Sequence, residues 1–271
     1  MPAELLFIAD LHLDPARPEA LACCERFLRG PARDAAGLYI LGDLFEAWIG
    51  DDDPAPAFEG LFAALRALAE QGVPVRVLHG NRDFLLGTGF EARTGARILP
   101  DPWVGELAGR RVLLTHGDAL CTGDREYQAF RAQVRDPGYR RAFLARTLAE
   151  RRRIAAALRA ESRRRTAGKP ESIMDVDPGE VAAWMRRHGV RLMVHGHTHR
   201  PAIHRFELDG AEAVRAVVGD WYEQGSVLHL APDGTLRLET LPFGAPAARP
   251  ARDRAQPSCA GPAISETVKR R

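Results

Sequence analysis

Aromatic residues are scarce in this chain of 271 residues, at 7%, and there are only four cysteines. Cys23 and Cys24 are adjacent, Cys121 stands alone, and Cys259 lies in a Pro/Ala-rich stretch. That arrangement does not suit a disulfide framework and points to a reducing compartment. No apolar run approaches the ~18 residues a membrane-spanning helix needs. The first apolar run begins at Leu5, which leaves no room for the basic and apolar regions of a secretory signal. The expectation is a chain that is soluble or at most rests on a membrane surface. Charge of one sign is also lacking. With 38 Lys and Arg against 36 Asp and Glu, the net charge is +2, so bulk charge names no partner. No internal repeat is evident.

The charge that is present is unevenly placed. Residues 140–169 hold eleven Arg or Lys and two acids, a net charge of +9, which leaves −7 for the rest of the chain. Phe143, Leu144, Leu148, Ile154, Ala155 and Leu158 recur there at helical spacing. Before this segment the chain alternates strand and helix: strands at 5–9, 38–42 and 75–79, helices around 18–29 and 56–71. That alternation predicts parallel βαβ units and an α/β fold. After it, Asp177-Pro178-Gly179-Glu180 reads as a helix start, with an Asp N-cap and Glu at the third helical position. That helix should stop at Gly189. A strand at 191–194 follows, and then antiparallel structure over 202–241 with turns at Asp209-Gly210 and Asp233-Gly234. From Phe243 onward Pro, Ala, Arg and Ser dominate, predicting a disordered tail (243–271) behind one domain (1–242).

Five short blocks each follow an apolar run: Asp10-Leu11-His12, Gly42-Asp43, Gly80-Asn81-Arg82-Asp83, His116-Gly117-Asp118 and His195-Gly196-His197-Thr198-His199. An Asp after a strand is often only a helix cap or turn residue. A single His-x-His is a weak metal signal. Five strand ends carrying such groups in one chain are much harder to dismiss, and they are expected to meet at one edge of a sheet, beyond the strands' carboxyl ends. Asp10, His12, Asp43, Asn81, His116, His195 and His197 supply carboxylates, imidazoles and an amide oxygen. Seven ligands are too many for one tetrahedral zinc and suit two metal ions sharing a carboxylate. Mixed nitrogen and oxygen ligation suits Mn²⁺, Fe²⁺ or Zn²⁺. Two such ions activate water and neutralise a phosphoryl group, so the natural chemistry is phosphoester or phosphoanhydride hydrolysis.

The blocks, in this order, resemble the calcineurin-like metallophosphoesterase superfamily, over about residues 5–200. The resemblance implies an αββα sandwich with a helical lid inserted at about 120–175. It also implies two divalent ions, Mn²⁺ first among them. Asp10, His12 and His197 would hold one, Asn81, His116 and His195 the other, and Asp43 would bridge. Most of that superfamily carries His where this chain has Arg82. An arginine cannot donate a proton near neutral pH, but it can clamp phosphate oxygens. Together with His116–Asp124, Ser172–Val176 and His195–Ala202, Arg82 makes the chain resemble the UDP-2,3-diacylglucosamine diphosphatases of lipid A biosynthesis, up to about Phe243.

That family releases UMP and 2,3-diacylglucosamine 1-phosphate from its lipid-linked nucleotide. The resemblance places Arg82 and Asp43 in catalysis and substrate contacts at Asn81, Arg82, Asp124, Ser162, Thr166, Lys169 and His195. Family members usually carry Asn at the position of Thr166. The lid would supply an apolar cavity for the acyl chains. It would also fit a peripheral monomer on the cytoplasmic face of the bacterial inner membrane, although a merely solvated Arg-rich face remains an alternative. No nucleic-acid partner is expected, because no aromatics interleave with the Arg run. The competing functions are another metallophosphoesterase acting on nucleotides or phosphoproteins, and a binding scaffold with a degraded site.

Overall fold

A computed structural model describes residues 3–166 and 175–244, without the Thr166 side chain. Lys169 and the tail from residue 245 lie outside the described residues. In chain order the elements are β1 (Leu5–Ile8), α1 (Pro18–Arg29), β2 (Gly37–Ile40), α2 (Glu59–Glu70), β3 (Val75–Val77), α3 (Thr88–Thr94), β4 (Arg97–Ile98), β5 (Trp103–Leu107) and β6 (Arg110–Thr115). Then come α4 (Arg125–Arg135), α5 (Pro137–Leu144), α6 (Leu148–Thr166), α7 (Pro178–His188), β7 (Leu192–His195), β8 (Ala202–Leu208), β9 (Ala211–Val217), β10 (Gln224–Leu230) and β11 (Leu236–Pro242).

The strands form two sheets. One has the order β11-β10-β1-β2-β3-β4 and the other β5-β6-β7-β9-β8. The pairings β1–β2, β2–β3, β6–β7 and β7–β9 are parallel. The ligand-bearing strand ends therefore come from both sheets, β1, β2 and β3 from one and β6 and β7 from the other, and not from the single sheet edge expected from the sequence. Local patterning shows that a strand exists but cannot assign it to a sheet, because that depends on long-range pairing. Here the β10–β11 hairpin joins β1 in an antiparallel pairing, while the β8–β9 hairpin joins β7.

Strand side chains alternate between faces, and three buried clusters follow from it. Phe7, Leu41, Val112, Leu114, Leu192, Val194 and Ala216 fill the space between the sheets. Ile8, Leu38 and Ile40 face the other way, onto Phe27 of α1 and Leu61, Phe62 and Leu65 of α2. Leu113 and Met193 meet Val181 and Met185 of α7. The result is helix, sheet, sheet, helix. Helix α7 starts as its sequence predicts: the Asp177 side chain accepts from the Glu180 backbone N–H at 2.9 Å, and Gly189 ends it in the left-handed region (φ 61°).

The basic segment forms α5 and α6, which with α4 make a helical layer. Three of its cations dock on the body. Arg151 is only 2% exposed; it donates to the Ile49 carbonyl at 2.7 Å and pairs with Asp52. Arg152 pairs with Asp53 at 2.9 Å, and Arg159 pairs with Glu46. A cavity of about 270 Å³ opens beneath the layer, with Phe84, Leu85, Phe130, Val134, Phe143 and Leu158 in its apolar wall.

Candidate metal centre and substrate cavity

The five blocks converge where the two sheets' carboxyl ends face each other. Asp10, His12, Asp43, His197 and His199 all take left-handed backbone conformations (φ 53°, 46°, 53°, 68° and 56°). Such conformations are strained for non-glycine residues and cluster at functional sites. They turn the chain sharply off each strand and leave Asp10 and His12, like His197 and His199, two residues apart on the same side. Two glycines allow the blocks to approach. A Cβ on Gly80 would overlap the Asp43 carboxylate, and one on Gly196 would overlap Asp10.

The donor atoms fall into two overlapping groups. In the first, His12 Nε2 lies 3.3 Å from His199 Nε2 and 3.7 Å from Asp43 Oδ2, and His199 Nε2 lies 3.4 Å from Asp10 Oδ1. In the second, Asn81 Oδ1 lies 3.0 Å from both His116 Nε2 and His197 Nδ1, and His116 Nε2 lies 3.8 Å from Asp43 Oδ2. Asp43 Oδ2 belongs to both. Asp10, His12, Asp43 and His116 are buried.

This geometry corrects the expected pair His195 and His197. The structure places His197 beside Asn81 and His116, and His199 beside Asp10 and His12. His195 is fully buried, but its Nδ1 meets the Gly196 carbonyl at 2.8 Å and its Nε2 faces Arg215 at 3.2 Å. The cause is strand parity. In β7 Leu192 and Val194 point between the sheets and Met193 points outward, so His195 also points outward. His116 has the opposite parity: it follows Thr115, one residue beyond the inward Leu114. His199 is the ligand candidate that sequence reasoning missed. The repeated two-residue spacing of Asp10-x-His12 and His197-x-His199 was the available signal.

Electrostatics bind the cluster together. Burial would raise the Asp10 pKa, but His199, His116 and His12 outweigh it and hold the carboxyl below its usual range. Burial would lower His116, but Asp43, Asp10 and Asp118 pull it up to about 9. Burial alone dominates at His197, pushed down to about 4, and at His195, pushed down to about 3. Burial and the nearby Asp43 raise Asp83 to about 6. Asp83 is structural. Its carboxyl accepts from the N–H groups of Leu44 (2.7 Å) and Gly80 (2.8 Å), tying the loops after β2 and β3 together.

These residues fit a pair of cations. The Asn81 amide lies 3.0 Å from each of two imidazole nitrogens, a mixed nitrogen and oxygen set of the kind that holds a transition-metal ion. His116 donates from Nδ1 to the Leu41 carbonyl at 2.9 Å, which directs its Nε2 at the cluster, as second-shell bonds to ligating histidines do. Asp10, His12 and His199 with Asp43 would hold one ion, and Asn81, His116 and His197 with Asp43 the other.

The expected substrate residues line the adjoining cavity in part. Asn81, Arg82, Asp124 and Ser162 border it; His195, turned away, does not. Arg82 is fixed at its backbone, whose N–H donates to Asp43 Oδ1 at 2.8 Å. Asp124 caps α4, its Oδ1 accepting from the Tyr127 N–H at 3.1 Å. Helix α4 is also bolted to the loop after His116. Tyr127 Oη and Arg131 Nε each donate to buried Asp118 Oδ2 at 2.8 Å, and Arg135 reaches the same oxygen at 3.3 Å.

Residues 3–201 match the family model of the calcineurin-like phosphoesterases. The chain belongs to that family, and it is a hydrolase. Within it, the chain is similar to the UDP-2,3-diacylglucosamine hydrolase of Stenotrophomonas maltophilia (strain K279a), 53% identical over 243 residues, 87% of this chain and 98% of that one. It is equally similar to proteins of that name from Xanthomonas oryzae pv. oryzae (strain PXO99A), 53% identical over 84% of this chain and 96% of that one, and from Aeromonas hydrophila, 53% over 86% and 97%. A solved archaeal phosphodiesterase aligns with a TM-score of 0.45 and 13% identity over 88% of this chain and 99% of that one.

Proposed function

We propose that the chain hydrolyses the pyrophosphate bond of UDP-2,3-diacylglucosamine to give UMP and 2,3-diacylglucosamine 1-phosphate, in lipid A biosynthesis. One observation carries this reading: an apolar cavity of about 270 Å³ opens directly beside the Asp/His/Asn cluster, with Asn81 belonging to both and Arg82 beside it in the cavity wall. A diacylated sugar needs such a cavity and its pyrophosphate needs the cations. A soluble nucleotide would leave the apolar wall without an occupant.

Bound divalent ions, Mn²⁺ first among the candidates, would neutralise phosphoryl charge and activate water. The rest falls to the chain. Asp43 would help hold both ions. Arg82, at the border of cluster and cavity, faces the phosphoryl charge with a guanidinium that stays protonated. Asp124 and Ser162 line the path toward the sugar, with Thr166 and Lys169 assigned there by family resemblance. Helices α4–α6 shield the acyl chains from water. All these groups come from one chain, which fits a monomer. Arg141, Arg146, Arg153 and Arg163 are exposed, and Phe130, Leu144 and Leu158 of the same helical layer are partly exposed. That combination suits peripheral attachment to an anionic leaflet, the cytoplasmic face of the bacterial inner membrane.

The test is release of UMP from the diacyl substrate by protein loaded with Mn²⁺, against phosphate release from generic phosphoesters and soluble nucleotides. Turnover should be confined to the acylated substrate. Turnover of soluble nucleotides alone would sink the lipid assignment.

A further inference from the structure

His12 has two ring nitrogens with different surroundings. Nε2 faces the donor cluster, and Nδ1 stands 3.2 Å from Glu46 Oε2. Both His12 Nδ1 and Glu46 Oε2 are buried, and neither has a hydrogen-bond partner elsewhere among the described residues. The other Glu46 oxygen pairs with Arg159 of α6. Glu46 and Arg159 both line the cavity. A continuous line of side chains thus runs from the lid helix through Arg159 and Glu46 to His12. Two other ligand histidines are supported differently: His116 Nδ1 meets the Leu41 carbonyl, and His199 Nδ1 lies 3.5 Å from Asp220 of the β9–β10 loop. Neither support touches α6.

We propose that Glu46 is a positioning residue that orients His12 toward its metal ion and, through Arg159, couples occupancy of that ion's site to the docking of α6 over the substrate cavity. The proposal rests on the two-ion assignment above. A carboxylate behind a ligating imidazole fixes the tautomer that leaves the far nitrogen free to bind metal, and it raises that nitrogen's basicity. Because Glu46 has a second oxygen committed to Arg159, anything that draws Glu46 toward His12 also draws α6 toward the body. By linkage the effect is reciprocal: a docked α6 favours the metal, and the bound metal favours a docked α6.

The experiment uses the full chain stripped by chelator and titrated with Mn²⁺, with no substrate present. Hydrogen exchange is followed across residues 148–166 with and without the ion. In the wild type two sites should fill, and exchange in α6 should slow on filling. Glu46→Gln keeps the shape and loses the charge. It should weaken one site by ~10–100-fold, the usual cost of losing an outer-shell partner, and leave the other unchanged. It should also abolish the slowing in α6; the weakened pair with Arg159 should lower the Tm of the metal-free protein, and a merely structural residue would show that loss with both metal affinities intact. Arg159→Lys should give an intermediate loss of the slowing with the first site weakened less. The role of Glu46 is overturned if Glu46→Gln keeps both affinities, or if metal leaves α6 exchange unchanged in the wild type. Failure of the wild type to bind any Mn²⁺ would overturn the metal centre and this role together. Two-site binding with no turnover of diacyl substrate would refute only the assigned substrate and leave the coupling standing.

Discussion

Replacing His199 by alanine removes an imidazole that lies 3.4 Å from Asp10 Oδ1 and 3.3 Å from His12 Nε2. If these three groups and Asp43 hold one ion, the change deletes one of four ligands. Loss of an outer-shell partner alone typically costs ~10–100-fold in metal affinity, so loss of a ligand should exceed ~100-fold at that site, or more than ~2.7 kcal/mol. His195→Ala is the matched control, four residues earlier at the end of β7. It removes contacts to the Gly196 carbonyl and the Arg215 guanidinium. Leaving those groups without partners should cost ~1–3 kcal/mol of stability, a drop in Tm of ~2–12 °C for a domain of this size, with both metal sites retained. Calorimetric titration of the stripped proteins with Mn²⁺ gives the affinities, and thermal unfolding gives the stability. If His195→Ala lost a site and His199→Ala kept both, the parity argument would be wrong and the pair read from the sequence would be right.

Three further outcomes follow from the same geometry. Arg82→Ala should lower kcat by ~10²–10³-fold, as loss of a preorganised charge facing the phosphoryl group does; an effect confined to KM would reduce Arg82 to a binding residue. Asp118→Asn weakens a buried carboxylate's pairs with Arg131 and Arg135 and should cost on the order of 3 kcal/mol in urea unfolding; a change below ~1 kcal/mol would mean α4 is held by packing alone. In the metal-free protein His116 is pulled up to about 9, above its unfolded value of ~6.5. The stability it contributes is therefore complete below pH ~6.5 and lost as the pH rises toward 9. Metal needs the neutral imidazole, so Mn²⁺ affinity should climb across the same interval; an affinity flat with pH there would contradict the assigned ligand.

The parts of the fold visible in the sequence are those set by local patterning. Helix α1 runs over Pro18–Arg29, where the spacing of Ala, Leu and Cys places it, and α7 lies between Asp177 and Gly189. Both are specified by periodicity and caps, which neighbouring residues carry. The division of β1–β3 and β6–β7 between two sheets is not local, and nothing in the apolar runs encodes it. The His195/His199 difference is of another kind, because it was legible. The inward and outward alternation of Leu192, Met193 and Val194 predicts that His195 leaves the strand on the outer face, but His-Gly-His-Thr-His offers two equally spaced pairs and the order of appearance favours the wrong one. Asp83 stands out only as part of its block and Glu46 not at all, since their roles depend on loops joined only in the folded chain.

The loop after β2 brings these observations together. It begins at Asp43, the carboxylate shared by both groups of donors, and within ten residues supplies Glu46, Asp52 and Asp53 to Arg159, Arg151 and Arg152 of α6. The same stretch holds the densest aromatic packing: Phe45 lies 4.7 Å from Trp48 and 4.8 Å from Phe58 between ring centroids, with Phe62 and Phe90 around them. In a chain with 7% aromatics that concentration stiffens one platform. Such rigidity is what a bridging ligand needs, because preorganised groups lose no energy to reorganisation when charge develops. It also explains the uneven charge of the sequence. The basic helix first neutralises the acidic loop beneath it. Arg141, Arg146, Arg153 and Arg163 stay exposed, so the proposed membrane attraction and the docking of α6 draw on different arginines of the same segment.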